Sequence, residues 1–237
     1  MNNKKEHQNS AKFYDVLHEI EPLTSNGIVI EFTNDQRYLA QYYKLRRISY
    51  ESDRYMQGHF NRGYLDRFDH EADVLIARKG NTCIGGARVN YSFPENRQPL
   101  PTESSSFSFI NAFPEFNLAN KRYCEIHRVV VHPEFRDKML AKAILWHIWK
   151  RSVELGLDYQ FSPSIPVKTR LYNMLYKGIG LDIDIRKDVT ICDKNYDNVE
   201  MWLMDLQIKK QSIYQATMNY LQSDPSLELA INLGSNV

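Results

Sequence analysis

The chain has too little of several things to fit a specialised class. Only three of its 237 residues are cysteine (Cys83, Cys124 and Cys192), and they are far apart with no Cys-x-x-Cys pair. An odd, scattered set excludes a disulfide framework and gives no zinc-ligand spacing, so buried reduced thiols are the plain reading and no metal is expected. Charge of one sign is not in excess either: 30 Lys and Arg against 29 Asp and Glu leave a net charge of +1. A dedicated nucleic-acid binder would show a basic stripe, so no nucleic-acid partner is expected. No run approaches the ~20 apolar residues of a membrane span. The opening Met1 to Ser10 carries Lys4 and Lys5 with no apolar stretch behind them, which is not a signal peptide. These absences predict a cytoplasmic protein without stable membrane insertion.

What is present is an ordinary globular composition, 43% apolar and 25% charged, long enough to bury its own core as one domain or one domain with an appendage. Residues 1–25 read as a polar lead-in with a short helix near Ala11 to Glu19. Gly27 to Phe32 is a β-branched run, and Asn34 and Asp35 suit the cap of a helix from Arg37 to Tyr50. Glu51 to Leu65 is aperiodic. Two strands, Asp73 to Arg78 and Thr82 to Tyr91, join through Lys79-Gly80-Asn81. A Pro- and Ser-rich connection (Pro94 to Ser106) follows, and Glu115, Phe113 and Phe116 fall in a Pro-broken loop with no readable role. Tyr123 to Val131 is a strand, Glu134 to Glu154 a long helix, Asp158 to Ser162 a strand and Val167 to Tyr176 a helix. Strands at Leu181 to Arg186 and Val199 to Leu206 precede a helix from Ile208 to Leu221. Strands in both hairpin and crossover arrangements imply an α/β fold of three layers. A mixed, splayed sheet would carry helices on both faces, with the last helix packed on the sheet edge. The division expected is lead-in 1–25, catalytic domain 26–206, and C-terminal helix and tail 207–237.

The most informative stretch is Glu125-Ile-His-Arg-Val-Val-Val-His-Pro-Glu-Phe-Arg136. An apolar strand turning through His132-Pro133 onto a helix start aims free N–H groups and the helix dipole at an anion such as phosphate. It is similar to the acyl-CoA-binding strand–turn–helix of the GNAT acyltransferases, whose Val-rich strand ends in Pro-x-Tyr/Phe-Arg. The resemblance implies that Val129, Val131, Arg136 and Ala141 hold a phosphopantetheine arm. Met139 stands where that family's Arg-x-x-Gly-x-Gly/Ala turn has a glycine. A side chain there crowds a pyrophosphate more than the single phosphodiester of a carrier protein's arm.

Four further places carry charge in ordered positions: Leu45-Arg46 with Tyr50 one turn on, Asp66-x-x-Asp69, Arg88 in the second hairpin strand, and Glu125-x-x-Arg128. The ordered set resembles the signature of the acyl-homoserine-lactone synthases and the related N-acyl amino acid synthases, over roughly Arg46 to Leu181. The resemblance implies acyl transfer from an acyl-carrier-protein or acyl-CoA co-substrate to a primary amine, with no bound cofactor. Amine acylation needs the ammonium stripped of a proton and a donor for the developing oxyanion. Glu125 is the candidate general base, through a water. Arg46, Asp66, Asp69, Arg88 and Arg128 would form an ion-pair network shaping the acceptor site. Arg88 and Arg128 lie in strands that otherwise read as core, where a charge needs a partner. His127 and His132 read as structural. Tyr42, Tyr43, Trp146, Trp149, Tyr172 and Tyr176 read as core or rim. Lys121, Arg122, Lys138, Lys142 and Lys150 offer a basic patch for a carrier protein, with a solvated face as the plainer account. Homoserine-lactone synthases usually carry a tryptophan six residues after the helix aromatic. Here that place is Met56 and no Trp precedes Trp146, which favours an amino acid over S-adenosylmethionine as acceptor. An acetyl-CoA-dependent N-acetyltransferase and a non-catalytic module with the same fold stay open.

Overall fold

The computed structural model describes residues 27–52, 65–104, 107–136, 138–189, 191 and 200–223. The polar lead-in, Met56 and its neighbours, Cys192 and the C-terminal tail lie outside the described residues. Seven strands form one sheet: β1 (Ile28–Thr33), β2 (Asp73–Lys79), β3 (Thr82–Ser92), β4 (Tyr123–Val131), β5 (Tyr159–Ser164), β6 (Asp184–Arg186) and β7 (Trp202–Gln207). Their spatial order is β1-β2-β3-β4-β5-β7-β6, and every pair is antiparallel except β4 with β5. The helices are α1 (Gln36–Glu51), the single turn α2 (Phe109–Ala112), α3 (Lys138–Glu154), α4 (Pro166–Gly178) and α5 (Ile213–Ser223).

α3, α4 and α5 cover one face. The main core unites Leu75, Val89 and Ile126 of the sheet with Ile144, Trp146 and Trp149 of α3, Leu175 and Tyr176 of α4, and Tyr220 of α5. Each such side chain taken fully out of water contributes roughly 1.5–3 kcal/mol. α5 packs chiefly on α3 and α4, with Tyr220 stacked on Trp146 at 4.4 Å between ring centroids. The edge position expected for this helix is therefore replaced by a place in the helical layer, because its apolar stripe finds the exposed flank of α3.

α1 covers the opposite face. Asp35 caps it by accepting from Arg37 N–H at 2.9 Å. Tyr42, Leu45 and Arg46 face inward, one turn apart. The close approach of α1 depends on Gly86 of β3: a Cβ there would stand 2.5 Å from the Leu75 carbonyl oxygen and 2.9 Å from Tyr42 Cδ2. Beside α1, the loop that carried no readable role folds as α2 and two 3₁₀ turns. Its Phe109 and Phe113 pack with Tyr123 and Phe161 in a second, aromatic core. Phe109, Phe113 and Phe116 do have helical spacing, but Pro114 ends the helix after one turn and hid the pattern.

One boundary differs from expectation in a way that matters, and the expected splay of the sheet is found between β4 and β5. Pro133–Phe135 is a 3₁₀ turn and Arg136 has ψ 49°, so the long helix begins at Lys138 and Arg136 stands outside it. β4 pairs with β5 over only three residues, Tyr123 to Glu125 against Tyr159 to Phe161. Pro163, lacking an N–H, cannot donate to extend the ladder. The two strands then diverge.

Candidate functional site

The divergence of β4 and β5 opens a cavity of about 630 Å³, within the usual range for small-molecule sites. One wall is β4 from Ile126 to Val131 and the other is Ser162 to Ile165 of β5 and the turn after it. Ser49 and Tyr50 of α1, Lys168, Leu171 and Tyr172 of α4, Arg136 and Met201 also line it. The fork is pinned where it starts, by the Ser162 hydroxyl donating to the Ile126 carbonyl at 3.2 Å.

β4 also bulges at this point. Gly86 faces Val130 and Arg88 faces His127, so Arg128 and Val129 together occupy the place of one residue opposite Ala87. Arg128 takes the left-handed backbone, φ 58°, which is unfavourable for a residue with a Cβ and recurs where a strand must re-aim a side chain. The Tyr42 hydroxyl fixes it by donating to the Arg128 carbonyl at 2.9 Å. The bulge resets the alternation, so Glu125, His127 and Arg128 share the α1 side of the sheet.

On that side the structure brings together all five residues of the expected ion-pair set. Arg46 donates twice to Asp69, Nη1 to Oδ1 at 2.7 Å and Nη2 to Oδ2 at 2.9 Å. Arg88 Nη1 lies 2.6 Å from Asp66 Oδ1 and 3.2 Å from Asp69 Oδ1. Arg128 Nη2 donates to Asp66 Oδ2 at 3.2 Å. The Asp-x-x-Asp spacing has a local cause. The two carboxylates form a reciprocal capping box on the 3₁₀ turn Arg67–Asp69: Asp66 accepts from Phe68 N–H at 2.9 Å and Asp69 accepts from Asp66 N–H at 2.8 Å. Each carboxylate thus closes a backbone turn and neutralises buried guanidinium groups at once. Burial alone would raise the Asp69 carboxyl, but the Arg46 hydrogen bonds and the charges of Arg46 and Arg88 hold it below the ordinary value. Burial likewise raises the Tyr50 phenol, and Arg128, 5.3 Å from its ring centroid, brings it below its ordinary value.

Glu125 stands differently from the expectation of a base at the mouth. Its side chain is fully buried and does not line the cavity. Both oxygens are engaged: Thr102 N–H donates to Oε2 at 3.1 Å, the Thr102 hydroxyl donates to Oε1, and His127 Nε2 lies 2.5 Å from Oε1. Of the expected phosphopantetheine contacts, Val129, Val131 and Arg136 line the cavity, while Ala141 packs against the main core and is not part of the lining. Arg136 turns its Nε back to donate to the Val131 carbonyl at 3.1 Å. The basic patch is largely neutralised locally: Lys121 pairs with Asp158, Arg122 with Glu95 and Lys150 with Glu154.

Residue patterns alone missed Thr102, Asn90, Ser162 and Lys168. Asn90, buried two residues after Arg88, donates to the Phe68 carbonyl at 3.0 Å and anchors the 3₁₀ turn to β3. Ser162-Pro163-Ser164-Ile165-Pro166 did carry a signal, since two prolines so close end a strand and start a helix.

A family model described as N-acyl amino acid synthase FeeM matches residues 41–177, a span that contains the network, the fork and both its walls. The chain belongs to the FeeM family. It is accordingly an acyltransferase, on a GNAT-like fold. No curated protein sequence matches it. Among solved structures, FeeM itself, an N-acyl amino acid synthase from uncultured soil microbes, superposes with a TM-score of 0.55 at 14% identity, covering 79% of this chain and 96% of that one. BjaI, a CoA-dependent acyl-homoserine lactone synthase solved with SAM and isopentyl-CoA, gives 0.58 at 15% identity, covering 79% and 82%. The AHL synthase LasI gives 0.53 at 11% identity, covering 80% and 94%. At such identities the likeness is one of fold. Among the described residues no helix is long and apolar enough to cross a membrane.

Proposed function

We propose that this FeeM-family protein moves a fatty acyl group from the thioester of a carrier protein to the α-amine of an amino acid. The observation that carries this reading is the mixed lining of one cavity. Val129, Val131, Ile165, Leu171 and Met201 offer an apolar surface suited to an acyl chain, while Arg128 of β4 and Lys168 of α4 add two cations to the same lining. A carboxylate on the acceptor would meet those cations and hold its amine beside β4. Backbone N–H groups on the β4 edge released by the fork are suited to the thioester oxygen as negative charge develops.

Met139 lies in the first turn of α3, where the resembling turn has a glycine that lets a phosphate approach the backbone. A single phosphodiester meets less hindrance there than a pyrophosphate, which favours the carrier-protein donor. With Lys121, Arg122 and Lys150 locally paired, carrier docking falls to the cavity rim, where Arg136 and Lys168 stand.

The test is a steady-state comparison of the purified protein with matched acyl-carrier-protein and acyl-CoA donors, at low and high salt, against a panel of amino acids. The expected outcome is N-acyl amino acid, identified by mass, with higher kcat/KM from the carrier protein and a preference that shrinks with salt. Equal or better turnover of acyl-CoA at every salt concentration would overturn the donor assignment. Turnover of S-adenosylmethionine but of no amino acid would overturn the acceptor assignment.

A further inference from the structure

Glu125 was the expected base, yet its carboxylate is sealed at 0% exposure and receives both polar hydrogens of Thr102. The side chain that reaches from this carboxylate to the cavity is His127. It sits two residues along β4 on the same face, lines the cavity, and commits Nε2 to Glu125 Oε1 at 2.5 Å. With Nε2 so engaged, Nδ1 is the nitrogen left for a ligand, and it makes no hydrogen bond among the described residues. A carboxylate that accepts from Nε2–H fixes the tautomer in which Nδ1 carries the lone pair. The arrangement therefore has a buried acid and, oriented by it, an imidazole that lines the acyl-transfer cavity with its second nitrogen uncommitted.

We infer that His127 is the proton acceptor for the amine, and that Glu125 acts through it as a positioning residue locked by Thr102. The assignment rests on the acyl-transfer reading above. The acceptor arrives as an ammonium, and His127 Nδ1 takes one proton and releases it to solvent through the cavity mouth. The freed amine attacks the thioester carbonyl carbon, forming the C–N bond. Collapse of the tetrahedral intermediate breaks the C–S bond, and the second amine proton goes to the departing sulfur. The sum is an amide, a thiol and one proton. Charged and titratable groups around the imidazole include Glu125 and Arg128 on its own strand, Arg88 directly opposite on β3, Asp66 paired to both arginines, Tyr50 on α1 and Lys168 on α4.

Two measurements test this and separate it from the function it rests on. In the wild-type protein, ¹⁵N spectra of the His127 ring at pH 8 should show hydrogen on Nε2 and none on Nδ1, whether or not a substrate has been found. The reverse tautomer would overturn the assignment outright. In turnover assays His127→Ala should lose about 10²- to 10⁴-fold in kcat, melt as the wild type does, and recover part of its rate with added imidazole. Glu125→Gln should lower kcat, leave KM for the amino acid nearly unchanged and disturb the ¹⁵N pattern. An acceptor already unprotonated at the assay pH should suffer least from either change. If His127 only covers a buried carboxylate, His127→Gln will keep the wild-type rate and imidazole will do nothing, and the inference falls. A wild-type protein that acylates no amino acid speaks against the acceptor class, while the ¹⁵N result still decides the tautomer.

Discussion

Asp69 and Asp205 are both buried carboxylates on sheet-facing segments, with 6% and 1% of their surface exposed, yet they are in opposite electrostatic states. Asp69 receives two hydrogen bonds from Arg46 and one from a backbone N–H, with Arg88 also in reach, and is held below the ordinary carboxylate value. Neither Asp205 oxygen has a hydrogen-bond partner among the described residues. Its nearest cation, Arg186, stops at 3.9 Å. Burial, aided by Asp184, pushes its carboxyl up to about 6. Depth in the core therefore does not set charge here. The number and geometry of donors does.

The largest expected effect comes from breaking the paired site. Arg46→Ala should cost about 3–5 kcal/mol, because it takes from the buried Asp69 carboxylate both guanidinium hydrogen bonds that offset its desolvation and leaves it Arg88 at 3.2 Å. Adding Asp69→Ala should recover part of that loss, since the partner no longer needs a cation. Denaturant melts of the two single variants and the double give the coupling. Additive losses would mean that the 2.7 Å geometry carries no coupling and that the contrast with Asp205 is empty.

Gly86→Ala tests whether the pairing depends on the backbone approach of α1. The added methyl meets the Leu75 carbonyl and the Tyr42 ring, and an overpacked contact of this kind costs about 1–3 kcal/mol. If α1 positions Arg46, this variant should also reduce the Arg46–Asp69 coupling. An unchanged coupling would assign the alignment to the capping box alone.

Asp205→Asn should act in the other direction and more weakly, raising Tm at pH 8 by about 2–4 °C, the shift that ~1 kcal/mol gives in a chain of this size. The two carboxyls also oppose each other in pH. Asp69, lowered in the fold, stabilises fully above the unfolded value of about 3.9 and loses that contribution as pH falls through its folded value. Asp205, raised in the fold, contributes fully below about 3.9 and loses that contribution as pH rises to about 6. The advantage of Asp205→Asn should thus disappear by pH 4. A gain that is equal at pH 4 and pH 8 would show that it comes from packing.

One rule made the site legible in the sequence, and it was applied unevenly. A charge inside a strand that otherwise reads as core needs a partner, which singled out Arg88 and Arg128. The same rule applied to Met201 to Leu206 would have found Asp205. β-branched runs and Gly or Pro boundaries marked β1 to β4, because those signals are local, while β5 and β7 showed only as short apolar and aromatic runs. Other features depend on segments far apart in the chain. Thr102 meets Glu125 across 23 residues from a Pro- and Ser-rich connection, and nothing in that connection announces a lock on a carboxylate. The Arg128 bulge replaces no alternation that the sequence displays, since Val129, Val130 and Val131 read as core in any register. The start of α3 depended on Arg136 leaving the helical region, which the favourable Pro133 concealed.

The left-handed backbone of Arg128 also bears on how this protein can be changed. A glycine adopts φ 58° without strain, so Arg128→Gly would exchange a conformational penalty, the ion pair to Asp66 and the contact with the Tyr50 ring for a relaxed bulge. The native fold would tolerate that exchange well, while the cavity would lose the cation proposed to hold the acceptor. Selection for thermal tolerance alone would therefore accept this position readily and leave a well-folded protein with no substrate grip. A screen that ranks variants by melting temperature would count that loss as an improvement.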